Sequence, residues 1–148
     1  MSKLRSTCAH ELMDVTPHII QSIRVEMRRG RGSDISVPQF RTLRFIQRNP
    51  DSSLSYLAEH LGLTLPSVSK LVDGLVKQKL LVRHESSVDR RQLMLLLTRS
   101  GSSIVDSARS EAQQNLANKL NSLSENELKT ISEAMQLLRP IFDSQDKH

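Results

Sequence analysis

Short hydroxyl-bearing side chains and a lysine gather near the middle of the chain, in a stretch without glutamate. Hydroxyl groups hydrogen-bond base edges, apolar groups contact thymine methyl groups, and lysine contacts phosphate oxygens. A helix face that is only solvated more often carries glutamate and lysine. The stretch therefore indicates a DNA-contacting surface, and the candidate residues are Thr64, Pro66, Ser67, Ser69 and Lys70.

A second candidate surface is a charged turn further along the chain, made of Asp89, Arg90 and Arg91. An arginine on a hairpin can enter the narrow minor groove, where the negative potential is strongest. A carboxylate can hold a neighbouring guanidinium by a bidentate pair. The alternative for such a turn is a solvated charge cluster. Its place after the hydroxyl-rich stretch favours contact with DNA.

Other kinds of chemistry find no support in the sequence. It contains no phosphate-binding glycine loop, no nucleophile elbow and no cluster with metal-ligand spacing. We therefore expect neither an enzyme nor a metal site, and no cofactor. The histidines are scattered, at His10, His18, His60, His84 and His148.

Residues 54–73 fit the frame of a helix-turn-helix, which would position the hydroxyl-rich stretch on its second helix. Gly62 stands where the chain turns sharply and a left-handed backbone is favoured. We expect Leu63 to plug the turn and Thr64 to cap the second helix. An ordinary helical hairpin shares much of this spacing, and the polar outer face argues against it. The inward positions are Leu57, Ala58, Leu61, Val68 and Leu71.

A β-hairpin is predicted directly after this unit. Residues 80–85 and 91–97 read as two strands, and residues 86–90 form a polar turn between them. A hairpin in this position is the wing of a winged helix-turn-helix.

Helical periodicity flanks the unit on both sides. Pro17 follows a threonine that can cap a helix, so we predict a kinked or broken first helix, followed by a basic loop over residues 28–33. A capping box at Ser36 opens a short helix with inward Phe40, Leu43 and Ile46. Further helices are predicted to begin at Thr98 and Ser124, the latter with Glu127 completing a capping box.

The terminal helices carry apolar stripes that a small winged domain cannot cover. Intertwining with a second copy would bury these stripes in a homodimer. The alternative is that the two ends pack on each other within one chain. The expected dimerisation residues are Leu12, Ile19, Ile23, Leu128, Ile131, Met135, Leu138 and Phe142.

The predicted fold is therefore mainly α: a three-helix core and a β-hairpin wing, with N- and C-terminal dimerisation helices. Residues 1–35 form the N-terminal dimerisation helix and loop, residues 36–99 the DNA-binding domain and residues 100–148 the C-terminal dimerisation helices. We expect one continuous structural unit.

Charge and composition agree with this organisation. Residues 64–99 carry seven Lys and Arg against three Asp and Glu, whereas residues 100–148 carry five against seven. A basic centre suggests a surface that faces a polyanion. Without a long apolar run or a signal peptide, and with Cys8 as the single cysteine, we expect no membrane contact and a place in the reducing cytosol.

Residues 54–101 resemble the MarR (multiple antibiotic resistance regulator) family of winged-helix transcription factors. The similarity lies in LAEHLGLTLPSVSKLVDGLVKQKLLVR and SVDRRQLMLLLTRSG, and the order of flanking helices extends it over nearly the whole chain. It implies a homodimeric regulator, most simply a repressor. Each recognition helix would lie in the major groove, and each wing in the minor groove, of a pseudo-palindromic operator.

By position, the resemblance gives Arg91 the role of the minor-groove arginine, with Asp89 as its support. Ser67, Ser69 and Lys70 match residues that contact bases and phosphates. Lys79 departs from the family, which usually has glycine there. Lysine is also less common than arginine at position 70, which leaves the base preference open.

The family often senses small aromatic ligands between its dimer helices and the winged lobe. With only four aromatic residues, the sequence outlines no such pocket, so a small aromatic ligand stays a possibility without a location. Cys8 falls on an apolar stripe, which favours a buried structural thiol over a peroxide sensor. The main rival function is a winged-helix protein-interaction module that never contacts DNA.

Overall fold

The computed structural model describes residues 2–32, 34–86, 88 and 93–143. Within these ranges six helices surround one small sheet. The helices are α1 (Lys3–Gly30), α2 (Val37–Arg48), α3 (Leu54–Leu61), α4 (Leu65–Lys77), α5 (Arg99–Lys119) and α6 (Glu125–Phe142). The strands are β1 (Ser52–Ser53), β2 (Leu81–Glu85) and β3 (Leu93–Leu97).

A hydroxyl side chain begins every one of these six helices by accepting a backbone N–H of the first turn, which satisfies a donor that the helix itself leaves free. The predicted capping boxes are confirmed: Gln39 returns a side-chain bond to Ser36, and Glu127 does so to Ser124. The capping residues are Ser2, Ser36, Ser53, Thr64, Thr98 and Ser124.

Helix α1 corrects two predictions. It runs without a break through Pro17, and it continues to Gly30, so residues 28–30 of the predicted basic loop belong to the helix. A proline inside a helix leaves a carbonyl without its N–H donor. The middle of α1 is open to solvent, as the 79% exposure of Met13 indicates, so water can bond that carbonyl.

The core lies where α2, α3 and α4 meet β3 and the second half of α1. The predicted inward residues of α2 are buried, and so are those of α3. On α4, Val68 is fully buried and Leu71 is half-buried against the core. Leucine, isoleucine and valine supply most of this core, together with Phe40 and Phe45. This confirms the three-helix unit at the centre of the predicted fold.

The turn between α3 and α4 is closed by backbone groups. Gly62 has a φ of 68° and its N–H bonds the carbonyl of Glu59, while the N–H of Leu63 bonds the carbonyl of Ala58 at 3.1 Å. The expectation that Leu63 plugs the turn is wrong, because its side chain is 42% exposed. Its backbone, and not its side chain, completes the turn.

The sheet is antiparallel in the order β1-β3-β2. The predicted hairpin of β2 and β3 is present, with β2 beginning at Leu81. Strand β1, in which Ser52 pairs with Leu95, was not predicted. Residues 91–92, predicted as the start of the second strand, lie outside the described residues.

The wing is fixed to α5 by a close backbone contact. The hydroxyl of Thr98 donates to the carbonyl of Lys79 at 2.7 Å and accepts the N–H of Gly101 at 3.1 Å. A Cβ on Gly101 would lie 2.2 Å from the carbonyl oxygen of Leu80. Glycine is therefore required here, where the helix start presses on the root of the wing.

Helix α6 has no buried residue, while the second half of α1 packs against α5. A side-chain bond reinforces that packing, since Asn115 of α5 donates to the buried carboxylate of Glu26 at 2.8 Å. The two ends of the chain thus do not cover each other's apolar stripes. None of the described helices is both long and apolar enough to cross a membrane.

Candidate nucleic-acid interface

The outer face of α4 presents most of the predicted DNA-contacting residues to solvent. Pro66, Ser67 and Lys70 are exposed, and Ser69 is half-buried beside them. The opposite face carries Val68, Val72 and Leu75, which are fully buried. Because the buried residues fix the rotation of the helix, this polar face points away from the core.

The hydroxyl of Thr64 is already engaged within the protein. It accepts the backbone N–H of Ser67 at 3.3 Å and donates to the Ser67 side-chain oxygen at 2.9 Å. The predicted cap is therefore confirmed. Ser67 keeps its own hydroxyl proton for another acceptor, whereas Thr64 has none to spare while this pair is intact.

An ion pair joins the candidate recognition helix to the root of the wing. Asp73, on α4, contacts the guanidinium of Arg83, on β2. Both side chains are partly exposed, so the pair contributes little to overall stability. Its effect is geometric, because it holds the strand against the helix.

A second contact anchors β2 on the other side of the sheet. The Nε2 atom of His84 lies 2.6 Å from a carboxylate oxygen of Asp51, and its Nδ1 lies 3.1 Å from the carbonyl of Glu85. Asp51 has a φ of 62° and its N–H bonds the carbonyl of Leu95 in β3. The imidazole thus links the two outer strands across β3.

The predicted wing-tip residues Asp89, Arg90 and Arg91 lie outside the described residues. Their roles stay predictions. Val88, just before them, is 95% exposed.

An arginine-rich cleft lies apart from the α4 face, and sequence reasoning missed it. The cleft has a volume of about 480 Å³ and is formed by α1, α2 and the end of α3. An adjoining cleft of about 360 Å³ shares three of its arginines. Among the residues that the structure describes, no carboxylate lines either cleft. The residues around the larger one are Ile20, Ile23, Arg24, Arg41, Arg44, Phe45, Arg48, Asn49 and His60.

Arg44 is the guanidinium of the cleft whose affinity for its proton is lowered by its surroundings. Burial lowers the pKa of Arg44, and the nearby charges of Arg48, Arg109 and Arg24 lower it further. Within the described part of the chain, none of these guanidiniums has a carboxylate within ion-pair distance. The cleft therefore concentrates positive charge without a compensating anion.

His60 forms one wall of the same cleft and stacks on Phe45, with ring centroids 4.2 Å apart. Burial lowers the pKa of His60, and the charge of Arg41 lowers it further. The signal that sequence alone could have offered was the spacing of Arg41, Arg44 and Arg48 along one helix face. Arg24 joins them only through the tertiary fold.

The predicted dimerisation residues remain largely uncovered in the single chain. On α6, the exposed fractions are 37% for Leu128, 39% for Ile131, 48% for Met135 and 66% for Phe142, and Leu138 is half-buried. On α1, Ile19 is 45% exposed and Leu12 is half-buried. Ile23 instead packs partly against the chain's own core. Cys8 is exposed, so the expectation of a buried thiol does not hold for one chain.

No three His, Cys, Asp or Glu side chains converge as metal ligands in the part of the chain that the structure describes.

Known regulators resemble this chain in sequence. The family model described as MarR family matches residues 33–92. The uncharacterized HTH-type transcriptional regulator YhbI of Bacillus subtilis is 36% identical over 75 residues, which are 51% of this chain and 49% of YhbI. The match thus spans about half the length of that relative. These similarities are to transcriptional regulators and not to enzymes, in agreement with the prediction.

Solved structures share the fold over almost the whole chain. The transcriptional regulator Tm0710 from Thermotoga maritima superimposes with a TM-score of 0.79 at 22% identity, covering 92% of this chain and 99% of that one. Streptococcus pneumoniae FabT, in its crystal structure with DNA, gives a TM-score of 0.59 at 22% identity, covering 94% and 97%. The mainly α, winged helix-turn-helix fold is thereby confirmed.

Proposed function

We propose that this chain, whose residues 33–92 match the MarR family model, is a regulator of that family and binds double-stranded DNA as a homodimeric repressor in the cytoplasm. Helix α4 lies in the major groove of each half of a pseudo-palindromic operator. The wing reaches the adjacent minor groove with Arg91, which Asp89 orients.

The observation that carries this proposal is the outward face of α4. Among the described residues, no ion pair engages its exposed Lys70, and Ser67, which accepts a bond from Thr64, keeps its own hydroxyl proton. The Asp73–Arg83 pair fixes the wing beside them. A hydroxyl group and a cation on a rigid helix suit base edges and phosphates. FabT, which shares the fold, has been crystallised with DNA.

The homodimer is supported by the apolar stripe of α6. Its large side chains are exposed or half-buried in the single chain, although helix stripes of this kind are normally buried. A second copy of the chain would bury the apolar stripes of both terminal helices. A two-fold dimer would also place two α4 helices on one face of DNA.

Duplex binding measured against salt concentration tests the DNA proposal. Phosphate contacts release counterions, so the affinity of the dimer should fall steeply between 50 and 200 mM salt, by roughly 10³-fold or more. Selection of bound sequences from a random duplex pool should return two half-sites related by a dyad, with centres about one helical turn apart.

Lys70→Gln gives a specific check of the interface. It should weaken binding across sequences and reduce the salt slope by about one ion for each subunit, and so by about two for the dimer. Lys129→Gln is the matched control, because Lys129 is an exposed lysine on α6. If wild-type protein binds no duplex, the interaction-module alternative is favoured and DNA binding is refuted. Duplex binding without salt dependence would refute the proposed phosphate contacts.

We further propose that a small ligand regulates this binding from the arginine cleft, and that the ligand is an anion. The prediction of a small aromatic ligand had no location in the sequence. The cleft offers one, since Phe45 and His60 give it an aromatic wall and at least four guanidiniums line it. A neutral phenol would leave those charges uncompensated, whereas a carboxylate or phosphate would accept charge-assisted hydrogen bonds.

Calorimetry at constant ionic strength tests the anion. Phenyl phosphate should bind more tightly than benzoate, and phenol should not bind measurably. Arg44→Gln should weaken phenyl phosphate at least about ten-fold, since hydrogen bonds to charged groups contribute roughly 1.5–3 kcal/mol. Arg139→Gln, on α6, should not. Equal affinities for phenol and phenyl phosphate would refute an anionic ligand.

A further inference from the structure

The first turn of α4 exposes two leucine side chains that do not pack in the core of the chain. Leu65, the first residue of the helix, is 49% exposed, and Leu63, just before the cap, is 42% exposed. Neither belongs to the buried core or to the apolar residues packed against it. The buried face of the same helix is supplied by Val68, Val72 and Leu75.

The polar groups of this turn are already partly occupied. The hydroxyl of Thr64 accepts the backbone N–H of Ser67 as the helix cap and donates to the Ser67 side-chain oxygen at 2.9 Å. Pro66 has no N–H to donate. The side chains of the first two helical residues, Leu65 and Pro66, therefore cannot hydrogen-bond a base edge. What remains there for recognition is apolar surface.

We propose that Leu65 contacts the C5 methyl group of a thymine, and so selects thymine at one position in each half-site of the operator. The inference rests on the proposed DNA binding. Among the groups that face the major groove, the thymine methyl is the apolar one. The first turn of a recognition helix is also the part that reaches base edges.

The proposal divides recognition along α4. Leu65 reads a methyl group by contact, and Ser69 follows it one helical turn later on the same side of the helix. Lys70, the next residue along the helix, contacts the phosphate backbone of DNA. Base preference at the Leu65 position should therefore depend on one methyl group and be insensitive to salt.

Replacement of thymine by deoxyuridine removes that methyl group without changing base pairing. In the selected operator, each thymine is replaced in turn in both half-sites, and affinities are measured for wild type, Leu65→Ala and Leu65→Met. We expect one position at which deoxyuridine weakens wild-type binding about four-fold for each half-site, the effect of losing one buried methyl contact. Leu65→Ala should show less than a two-fold difference there, and Leu65→Met should restore it.

Leu137→Ala is the control, because Leu137 is an exposed leucine on α6. It should keep the full deoxyuridine effect. Leu65→Ala should fold, since alanine is favourable in a helix and Leu65 makes no core contact. An operator without thymine in its half-sites would overturn the proposal, as would an equal deoxyuridine effect in wild type and Leu65→Ala. If wild-type protein bound no duplex at all, the proposed function itself would be refuted.

Discussion

Lys79 has a backbone conformation that glycine adopts more easily. Its φ is 61°, its N–H bonds the carbonyl of Val76, and the N–H of Leu80 bonds that of Leu75. These two bonds close the end of α4 as a Schellman motif, in which the left-handed position usually belongs to glycine. The departure from the family pattern noted at this position is therefore tolerated by the fold and strains the backbone locally.

Lys79→Gly should raise the free energy of unfolding by about 0.5–1 kcal/mol. Glycine removes the cost of the left-handed conformation, roughly 1–2 kcal/mol, and part of this gain is lost to the greater freedom of the unfolded chain. Urea unfolding measures the change. Lys77→Gly, at the last residue of the helix, where the backbone is right-handed, should lower stability instead, by up to about 1 kcal/mol. If Lys79→Gly were less stable than wild type, the inference that Lys79 strains the backbone would be wrong.

His60 should make the stability of the protein depend on pH. Burial, followed by the charge of Arg41, lowers its pKa in the folded chain. Below the unfolded value, near pH 6.5, the unfolded chain binds more protons, so the free energy of unfolding decreases as the pH falls. The stabilisation is fully present above that value and is lost toward the lower folded pKa.

His60→Gln should therefore flatten the pH dependence of unfolding below about pH 6.5, the unfolded value of histidine. Chemical unfolding at several pH values measures the slope. The same slope in His60→Gln and wild type would show that this side chain does not cause it.

At the scale of elements, we expect the Asp73–Arg83 pair to increase the affinity for DNA, because it holds β2 against α4. Asp73→Asn and Arg83→Gln should each weaken operator binding about two- to five-fold, because an exposed pair contributes up to about 1 kcal/mol. Neither should unfold the protein. The exchanged variant, with arginine at 73 and aspartate at 83, should recover much of the loss. Competition binding measures all three.

Whether an element could be predicted depended on how local its causes are. The caps at Ser36 and Ser124 lie within one turn of the bonds they make, so sequence spacing predicted them. Strand β1 could not be predicted, because Ser52 finds its partner at Leu95. The predicted break at Pro17 was wrong, since solvent around α1 satisfies what the proline leaves unbonded.

The candidate site divides in the same way. The face of α4 was predictable because one helix carries it, and the burial of Val68 on its other side sets its direction. The arginine cleft was not, because Arg24 and Arg44 stand on different helices and meet only in the folded chain.

At the scale of the whole molecule, α6 should hold two copies together. Leu138→Asp should dissociate the dimer or unfold it, because it places a charge within the apolar stripe. Leu137→Asp is the neighbouring control, since Leu137 is 73% exposed and lies outside the stripe. Sedimentation and circular dichroism separate the outcomes. A well-folded Leu138→Asp dimer would contradict this assembly.

The ion pair between α4 and β2 has a consequence for how such a dimer could be switched off. Because this pair joins helix and strand, we expect each binding lobe of the proposed dimer to move as one unit. A ligand that shifts α1 against α2 then alters the separation between the two lobes. Such a ligand would change which half-site spacings are tolerated, while the bases preferred within each half-site stay the same.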